Sequence, residues 1–273
     1  MVAASSTRKP SHAIGVGRTR IPLRTYFVVL VLLLYLPIGL LFLFSFNSNT
    51  FLTFPMQGFT LHWYQEALSD TALLGAARNS VIVGALAASV ATAIGFAVSV
   101  AVVRFRFRGR AGLVGLAGLP LIVPFIVLGV SLFLLFVFVG LPRSLLTIAI
   151  GHTVVATPFA ALICLARMLG LDANLEDAAM DLGATYRTTL RRVVVPLMGP
   201  SLLSAWLTCF IVSFDEVAIA LFLAGGDPTF PIFLYGQLRF AQRLPVLIAM
   251  AVMLMFATVT LTLIAFRVGR RRA

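Results

Sequence analysis

Two adjacent acids, Asp215 and Glu216, lie within a long apolar segment of this chain. A carboxylate in apolar surroundings is costly unless a cation, a hydrogen-bond donor or water compensates its charge. Two such groups in succession therefore indicate either a pathway that accepts a cation or a structural pairing with another helix. Because successive residues of a helix point about 100° apart, both acids cannot face one pathway. We expect Asp215 to face the pathway, and structural pairing stays open as the alternative.

A second candidate site is the polar stretch at about residues 170–200. One face of a helix predicted there is apolar and partly alanine, while Glu176 and Asp177 take other positions. Gly183 permits a turn that most side chains make costly, and a basic helix then starts near Thr185. Small alanines let a partner surface approach closely, which suits a docking element; a connector lying on lipid headgroups is the alternative. The apolar face consists of Leu175, Ala178, Ala179 and Leu182.

The remaining reactive side chains do not form a site by their spacing. His152 has no Cys, His or carboxylate close to it in the sequence, so we interpret it as a hydrogen-bonded packing residue rather than a metal ligand. Cys164 and Cys209 fall inside apolar segments without metal-ligand spacing, and we interpret both as small apolar side chains. We find no set of nucleophile, base and orienting group, and we predict no catalytic, cofactor-binding or metal-binding residues.

The composition indicates that these residues belong to a membrane protein. Of the 273 residues 60% are hydrophobic and only 11% are charged, whereas a soluble domain carries about 25% charged residues. The formal charge of +12 does not indicate nucleic acid, because the basic residues separate apolar runs instead of clustering on one soluble face. The partner that this pattern predicts is the lipid bilayer.

Apolar runs long enough to cross a bilayer occur in six places. A transmembrane helix needs about 20 mostly apolar residues, and we predict an all-α integral membrane protein. Residues 25–273 form a single transmembrane domain, and residues 1–24 form a basic tail. The predicted spans are about 26–46, 79–103, 112–139, 145–168, 201–224 and 244–266.

The distribution of basic residues predicts the orientation. Six spans place both termini on one side, and 17 of the 21 Lys and Arg residues fall on that side. Cytoplasmic loops carry the excess of positive charge in membrane proteins. We therefore expect the two termini and the stretch at 170–200 to be cytoplasmic.

Small residues recur along one stripe of the second predicted span. Such residues let helix backbones approach closely in a membrane, where no hydrophobic force drives association. The stripe is interpreted as packing within the chain, with a contact face for another subunit as the alternative. It consists of Gly84, Ala88, Ala91, Gly95 and Ser99.

The polar stretch resembles a known motif. Asp177-Ala178-Ala179 is followed by three residues, Gly183, nine residues, Val193, one residue and Val195-Pro196. This is similar to the EAA loop of binding-protein-dependent ABC importer permeases, whose pattern is Glu-Ala-Ala, three residues, Gly, nine residues, Ile, one residue and Leu-Pro. The spacing matches throughout, and Asp177, Val193 and Val195 are conservative departures.

The resemblance implies a type I ABC importer permease with a cytoplasmic coupling helix that docks on an ATPase. The implied partners are ABC ATPase subunits, a second permease and a periplasmic substrate-binding protein, in a bacterial inner membrane. A P-loop needs a lysine, and the only lysine is Lys9 in the basic tail. ATP and Mg²⁺ are therefore expected on the partner ATPase, and this chain is not itself an enzyme. The coupling-loop residues are Glu176, Asp177, Ala178, Ala179, Gly183 and Pro196.

A second resemblance bears on the substrate. The segment from Ser213 to Leu223, which contains both intramembrane acids, is similar to the spermidine/putrescine branch of that family. This implies a polyamine cation, moved by alternating access. Iron, thiamine, phosphonate or sulfate, carried by related branches, stays open as the solute. A secondary transporter independent of ATP would need inverted repeats or a chain of intramembrane ionisable groups, and the sequence displays neither.

Overall fold

The computed structural model describes residues 23–51 and 53–270, with side chains left out at 261 and 264–270. The predicted basic tail at 1–24 lies outside the described residues except for its last two, which belong to the first helix. Arg271 and Arg272, part of the predicted cytoplasmic charge, also lie outside them.

The described chain is helical, as predicted, apart from loops and one isolated bridge between Asn47 and Phe59. Short 3₁₀ turns at Leu119–Leu121 and Ala241–Arg243 and a π-helical turn at Leu190–Val194 connect some of the helices. The α-helices are α1 (Leu23–Phe44), α2 (His62–Ser69), α3 (Thr71–Arg104), α4 (Arg110–Gly118), α5 (Phe125–Phe138), α6 (Leu145–Leu169), α7 (Asn174–Asp181), α8 (Tyr186–Thr189), α9 (Val195–Phe214), α10 (Ala218–Leu223), α11 (Phe230–Gln237) and α12 (Leu244–Arg270).

Within the described residues, five helical segments are long and apolar enough to span a membrane, and a bent pair of helices makes a sixth. The number of predicted spans is therefore confirmed if that pair counts as one. Two of the helices extend beyond the predicted apolar spans. The helix that contains the second span begins at Thr71 rather than 79, and the helical segment that contains the fifth begins at Tyr186, close to the helix start predicted near Thr185.

The third predicted span, at about 112–139, consists of two helices rather than one. The segments Arg110–Leu121 and Phe125–Phe138 meet at 104°. Pro124 has an extended backbone with φ −56° and ψ 132°, and a proline also disfavours helical geometry in the residue before it. The helix therefore cannot continue through this point, although hydropathy continues without interruption.

The chain from 23 to Leu41 forms one compact unit, and the chain from Phe42 onward forms the other. The first unit is most of α1, which is apolar on all sides and has no buried residue. A helix that is hydrophobic all round is typical of a membrane span in contact with lipid.

The core of the second unit lies where α3, α6 and α9 pack together. The predicted stripe of small residues on α3 is buried here, so packing within the chain accounts for it. The backbones of α3 and α6 approach closely at Gly95, where an added Cβ would lie 2.6 Å from backbone atoms of Ala160 and Ala161. The buried residues of this core are Ala88, Ala91, Val100, Ala156, Ala160, Cys164, Met168, Val194, Met198, Ala205, Cys209 and Phe210.

The loop between α1 and α3 contains a short helix. This is α2, which buries Trp63 and Ala67. The indole N–H of Trp63 donates to the carbonyl oxygen of Asn47 at 2.7 Å. The helix is therefore fixed both by packing and by a buried hydrogen bond.

An ion pair joins the start of α3 to the segment before α12. Asp70 caps α3 by accepting hydrogen bonds from the backbone N–H groups of Ala72 and Leu73 at 3.0 Å, and it also accepts from Arg243. Partial burial by itself raises the pKa of Asp70, but the hydrogen bond from Leu73 and the Arg243 guanidinium outweigh it. The net pKa therefore lies below the ordinary value.

Candidate functional site

The stretch at 170–200 folds as two helices joined by a glycine turn. Gly183 has a φ of +87°, in the left-handed region where a Cβ is unfavourable. Its N–H donates to the carbonyl of Met180 at 2.9 Å, and the N–H of Ala184 donates to that of Ala179 at 3.1 Å. This pair of bonds is the Schellman motif, and it confirms the predicted role of Gly183 in ending α7.

The predicted apolar face of α7 lies largely in the open. Leu182 is 90% exposed and Leu175 is 47% exposed, while Ala178 is exposed and Ala179 is half-buried. Contiguous apolar surface that is exposed to water often marks an interaction site. The geometry therefore suits a surface that a partner covers.

The two acids of α7 have different surroundings. Asp177 is exposed, whereas Glu176 is buried and accepts a 2.7 Å hydrogen bond from Arg104 at the end of α3. Asp177 is therefore accessible from outside the chain, whereas Glu176 is used within it.

The second helix of the loop leads into the membrane core. Thr185 caps α8 by accepting from the N–H of Thr188 at 3.4 Å, close to the predicted start. The π turn at Leu190–Val194 continues into α9, in which Pro196 takes one of the first two positions. Exposed on this segment are Arg187, Arg191 and Arg192.

The second candidate site is a break in the fifth span. The predicted continuous span at 201–224 is wrong, because α9 ends at Phe214 and α10 starts only at Ala218. Glu216 is buried and its carboxylate accepts from the N–H groups of Ala218 at 3.1 Å and Ile219 at 2.9 Å. Lipid cannot supply these bonds, so Glu216 satisfies the backbone that the break leaves open.

A buried histidine supports the same break. His152 of α6 is 2% exposed, and its Nδ1 lies 2.7 Å from the hydroxyl of Ser213. Its Nε2 lies 3.8 Å from Glu216 Oε2. The interpretation of His152 as a hydrogen-bonded packing residue is consistent with these contacts.

Asp215 lies at the end of α9 and is exposed. It lines a cavity of about 400 Å³ between α9, α11 and α12, and it is the one charged group among the described lining residues. The first lining residue on α12, Ala251, lies seven residues after the start of that helix, which is about 10 Å along the helix axis at 1.5 Å per residue. The lining consists of Phe210, Ile211, Phe214, Asp215, Phe230, Pro231, Leu234, Ala251, Leu254, Met255, Thr258 and Val259.

Sequence reasoning missed two features of these sites. The contact between Arg104 and Glu176 joins residues 72 positions apart, and no local pattern indicates it. The capping role of Glu216 had a signal, since an acid shortly before a short apolar helix is typical of an N-terminus. Within the described residues, no three His, Cys, Asp or Glu side chains stand close enough together to hold a metal ion.

Comparison with known families matches the chain from 91 to 273 to the profile described as "Binding-protein-dependent transport system inner membrane component". The chain belongs to this family. The resemblance carried by the EAA-like loop is thereby confirmed, and the chain is a member of a multi-pass inner-membrane transport family.

Curated relatives of this family member include polyamine permeases. The putrescine transport system permease protein PotI of Escherichia coli K12 is 37% identical over 214 residues, which cover 76% of each chain. The spermidine/putrescine permease PotC of Haemophilus influenzae is 34% identical over 192 residues, covering 70% of this chain and 74% of its own. The resemblance to the spermidine/putrescine branch is confirmed by these relatives.

Solved structures of ABC importers share the fold of this permease. A chain of a bacterial alginate importer has a TM-score of 0.71 at 18% identity and covers 91% of this chain and 94% of its own. A chain of the methionine importer MetNI has a TM-score of 0.61 at 19% identity, covering 77% and 98%. The predicted type I ABC importer permease fold is confirmed.

Proposed function

We propose that this permease carries a polyamine cation such as putrescine or spermidine across the inner membrane, driven by a separate ABC ATPase. The observation that carries the substrate proposal is the carboxylate of Asp215, the one charged group among the described lining residues of a mostly apolar and aromatic cavity. A polyamine combines ammonium groups with an alkyl chain. The Asp215 carboxylate can bind an ammonium group, and the apolar side chains of the lining can pack against the alkyl chain.

The aromatic wall of the cavity fits the same chemistry. Phe210 and Phe214 have ring centroids 5.9 Å apart, and Phe214 and Phe230 are 6.4 Å apart. Ring faces attract a cation and also pack against methylene groups. A sulfate or phosphonate would instead meet the Asp215 carboxylate, which repels an anion.

The energy source is proposed from α7. Its exposed apolar face, with Asp177 beside it, is the surface on which the ATPase docks, and exposed arginines follow it on the next helical segment. ATP and Mg²⁺ are bound by that ATPase. A second permease completes the pathway, a periplasmic binding protein delivers the solute, and both termini are cytoplasmic.

Uptake by the reconstituted complex tests the substrate and the role of Asp215 together. Loss of one charge-assisted contact costs about 1.5–3 kcal/mol, so Asp215→Asn should weaken the apparent affinity for putrescine about 10- to 100-fold. Thr258→Val is the matched control, since it alters a neutral lining residue whose hydroxyl already bonds to the carbonyl of Leu254. Equal affinity in all three proteins, with normal assembly, would assign Asp215 a structural role.

The binding protein that works with this permease gives an independent measurement. Ligand that binds only the folded receptor raises its melting temperature, so titration with putrescine, spermidine, thiamine, iron chelates and phosphonates identifies the solute class. A shift with polyamines alone is expected. A shift with an anion would contradict the polyamine proposal and leave the importer assignment unchanged.

A further inference from the structure

The cytoplasmic end of α3 is attached to both helices of the coupling loop. Arg104 is the last residue of α3, and its Nε and one terminal nitrogen each lie 2.7 Å from Oε1 of Glu176 on α7. The other half of the loop is contacted by the next residue, because the ring of Phe105 meets that of Tyr186 edge-on at 5.7 Å.

The contact between Arg104 and Glu176 is well shielded from water. Their side chains are 14% and 9% exposed, and a terminal nitrogen of Arg104 also donates to the carbonyl of Leu171 at 3.3 Å. A guanidinium that uses several donors at once has a fixed orientation. The pair therefore holds α7 in a defined direction instead of merely neutralising charge.

Such a hold matters because α7 is short. It has eight residues, fewer than the 12 to 15 or so that make an isolated helix even marginally stable in water. The polypeptide joins it only to α6 and, through the turn at Gly183, to α8 and α9. The contact with Arg104 is thus a third attachment, and it leads directly into α3, the helix packed against both α6 and α9 in the core.

We propose that Arg104 and Glu176 form a strut that transmits movement of α7 to α3 when the ATPase closes. This rests on the proposed docking of the ATPase on α7. Both residues are positioning residues: the exposed face of α7 contacts the partner, and the strut determines how far the membrane helices follow. Without it, α7 moves with its partner while α3 lags behind, so ATP is hydrolysed without transport.

The test measures ATP hydrolysis and putrescine uptake on the same reconstituted complex with its ATPase and binding protein. Arg104→Ala and Glu176→Ala should each raise the ATP consumed per putrescine imported at least fivefold, with the ATPase still copurifying. Arg104→Glu combined with Glu176→Arg should restore most of the coupling. Arg106→Ala is the control, since Arg106 is exposed and has no ion pair within the described residues.

Each other outcome is decisive. A normal ratio in Arg104→Ala overturns the strut. Loss of the ATPase from Arg104→Ala also overturns it, because the pair would then only build the docking surface. If the ATPase fails to copurify with the unmodified chain, the proposed docking function fails first, and that result is distinguishable from the other two.

Discussion

Replacement of Gly95 by alanine tests the close approach of α3 to α6 in the membrane core. The added Cβ would lie 2.6 Å from the backbone carbon of Ala160 and the backbone nitrogen of Ala161. Carbon atoms normally stay about 3.5–4.0 Å apart, so α3 and α6 must separate by roughly 1 Å. The obstacle is backbone, which cannot rotate away as a side chain can.

The magnitude follows from two opposing effects. Overpacking of a close-packed core costs about 1–3 kcal/mol, while alanine is favoured over glycine in a helix by about 1 kcal/mol. Gly75→Ala isolates the second effect, because Gly75 lies on the same helix with no atom within 4 Å of its added Cβ. The two variants should therefore differ by about 1–3 kcal/mol, or about 2–12 °C in apparent Tm at 2–4 °C per kcal/mol.

The assay is thermal unfolding of both variants in the same detergent, followed by loss of the monodisperse peak in size-exclusion chromatography. Gly95→Ala should melt below the unmodified protein or close to it, and Gly75→Ala above it. Equal melting of the two variants would refute the argument that α3 needs a glycine where it crosses α6.

Three further expectations concern other parts of the molecule. Gly183→Ala should weaken binding of the ATPase about 5- to 30-fold, since a left-handed backbone costs a residue with a Cβ about 1–2 kcal/mol; undiminished binding in a titration would contradict it. Glu216→Gln should melt below the unmodified protein, because the amide keeps only one acceptor oxygen for the backbone of α10. Glu216→Ala should melt at a still lower temperature, because it keeps none. Identical melting temperatures of the three proteins would exclude the capping role. Because the pKa of Asp70 is lowered, its bond to Arg243 stabilises the protein above about pH 4, and this stabilisation is lost as the pH falls through the lowered pKa. Asp70→Asn should therefore reduce the fall in melting temperature over this acidic range. A pH dependence of the melting temperature equal to that of the unmodified protein would contradict the argument.

The membrane fold was predictable because its signal is local and strong. Long apolar runs and their basic flanks identify spans regardless of how the helices pack. The turn that ends α7 is likewise predicted by the local sequence at Gly183. The bend at Pro124 was not predicted, although its residue was visible, because hydropathy does not distinguish a straight span from a broken one. The same limitation hid the end of α9 at Phe214.

The candidate sites were predictable only in part. Helical angles predicted that only one of the two acids faces the pathway, yet both acids lie in the break between α9 and α10 rather than within a continuous helix. The contact of Arg104 with Glu176 depends on tertiary structure, and a single sequence has no periodicity that links residues so far apart. The turn at Gly183 was predicted from the sequence, but the inward direction of Glu176 was not.

Because Glu216 completes the backbone hydrogen bonds of a broken span, whereas Asp215 contributes only a charge to a cavity, the two positions are subject to different selection. A relative that carries an anion can replace the acid at 215 with a neutral or basic residue without disturbing the break. It still needs a hydrogen-bond acceptor at 216. Among members of the family that keep the break, the residue at 215 is therefore expected to vary with the charge of the transported solute. The residue at 216 is expected to remain a hydrogen-bond acceptor whatever the solute.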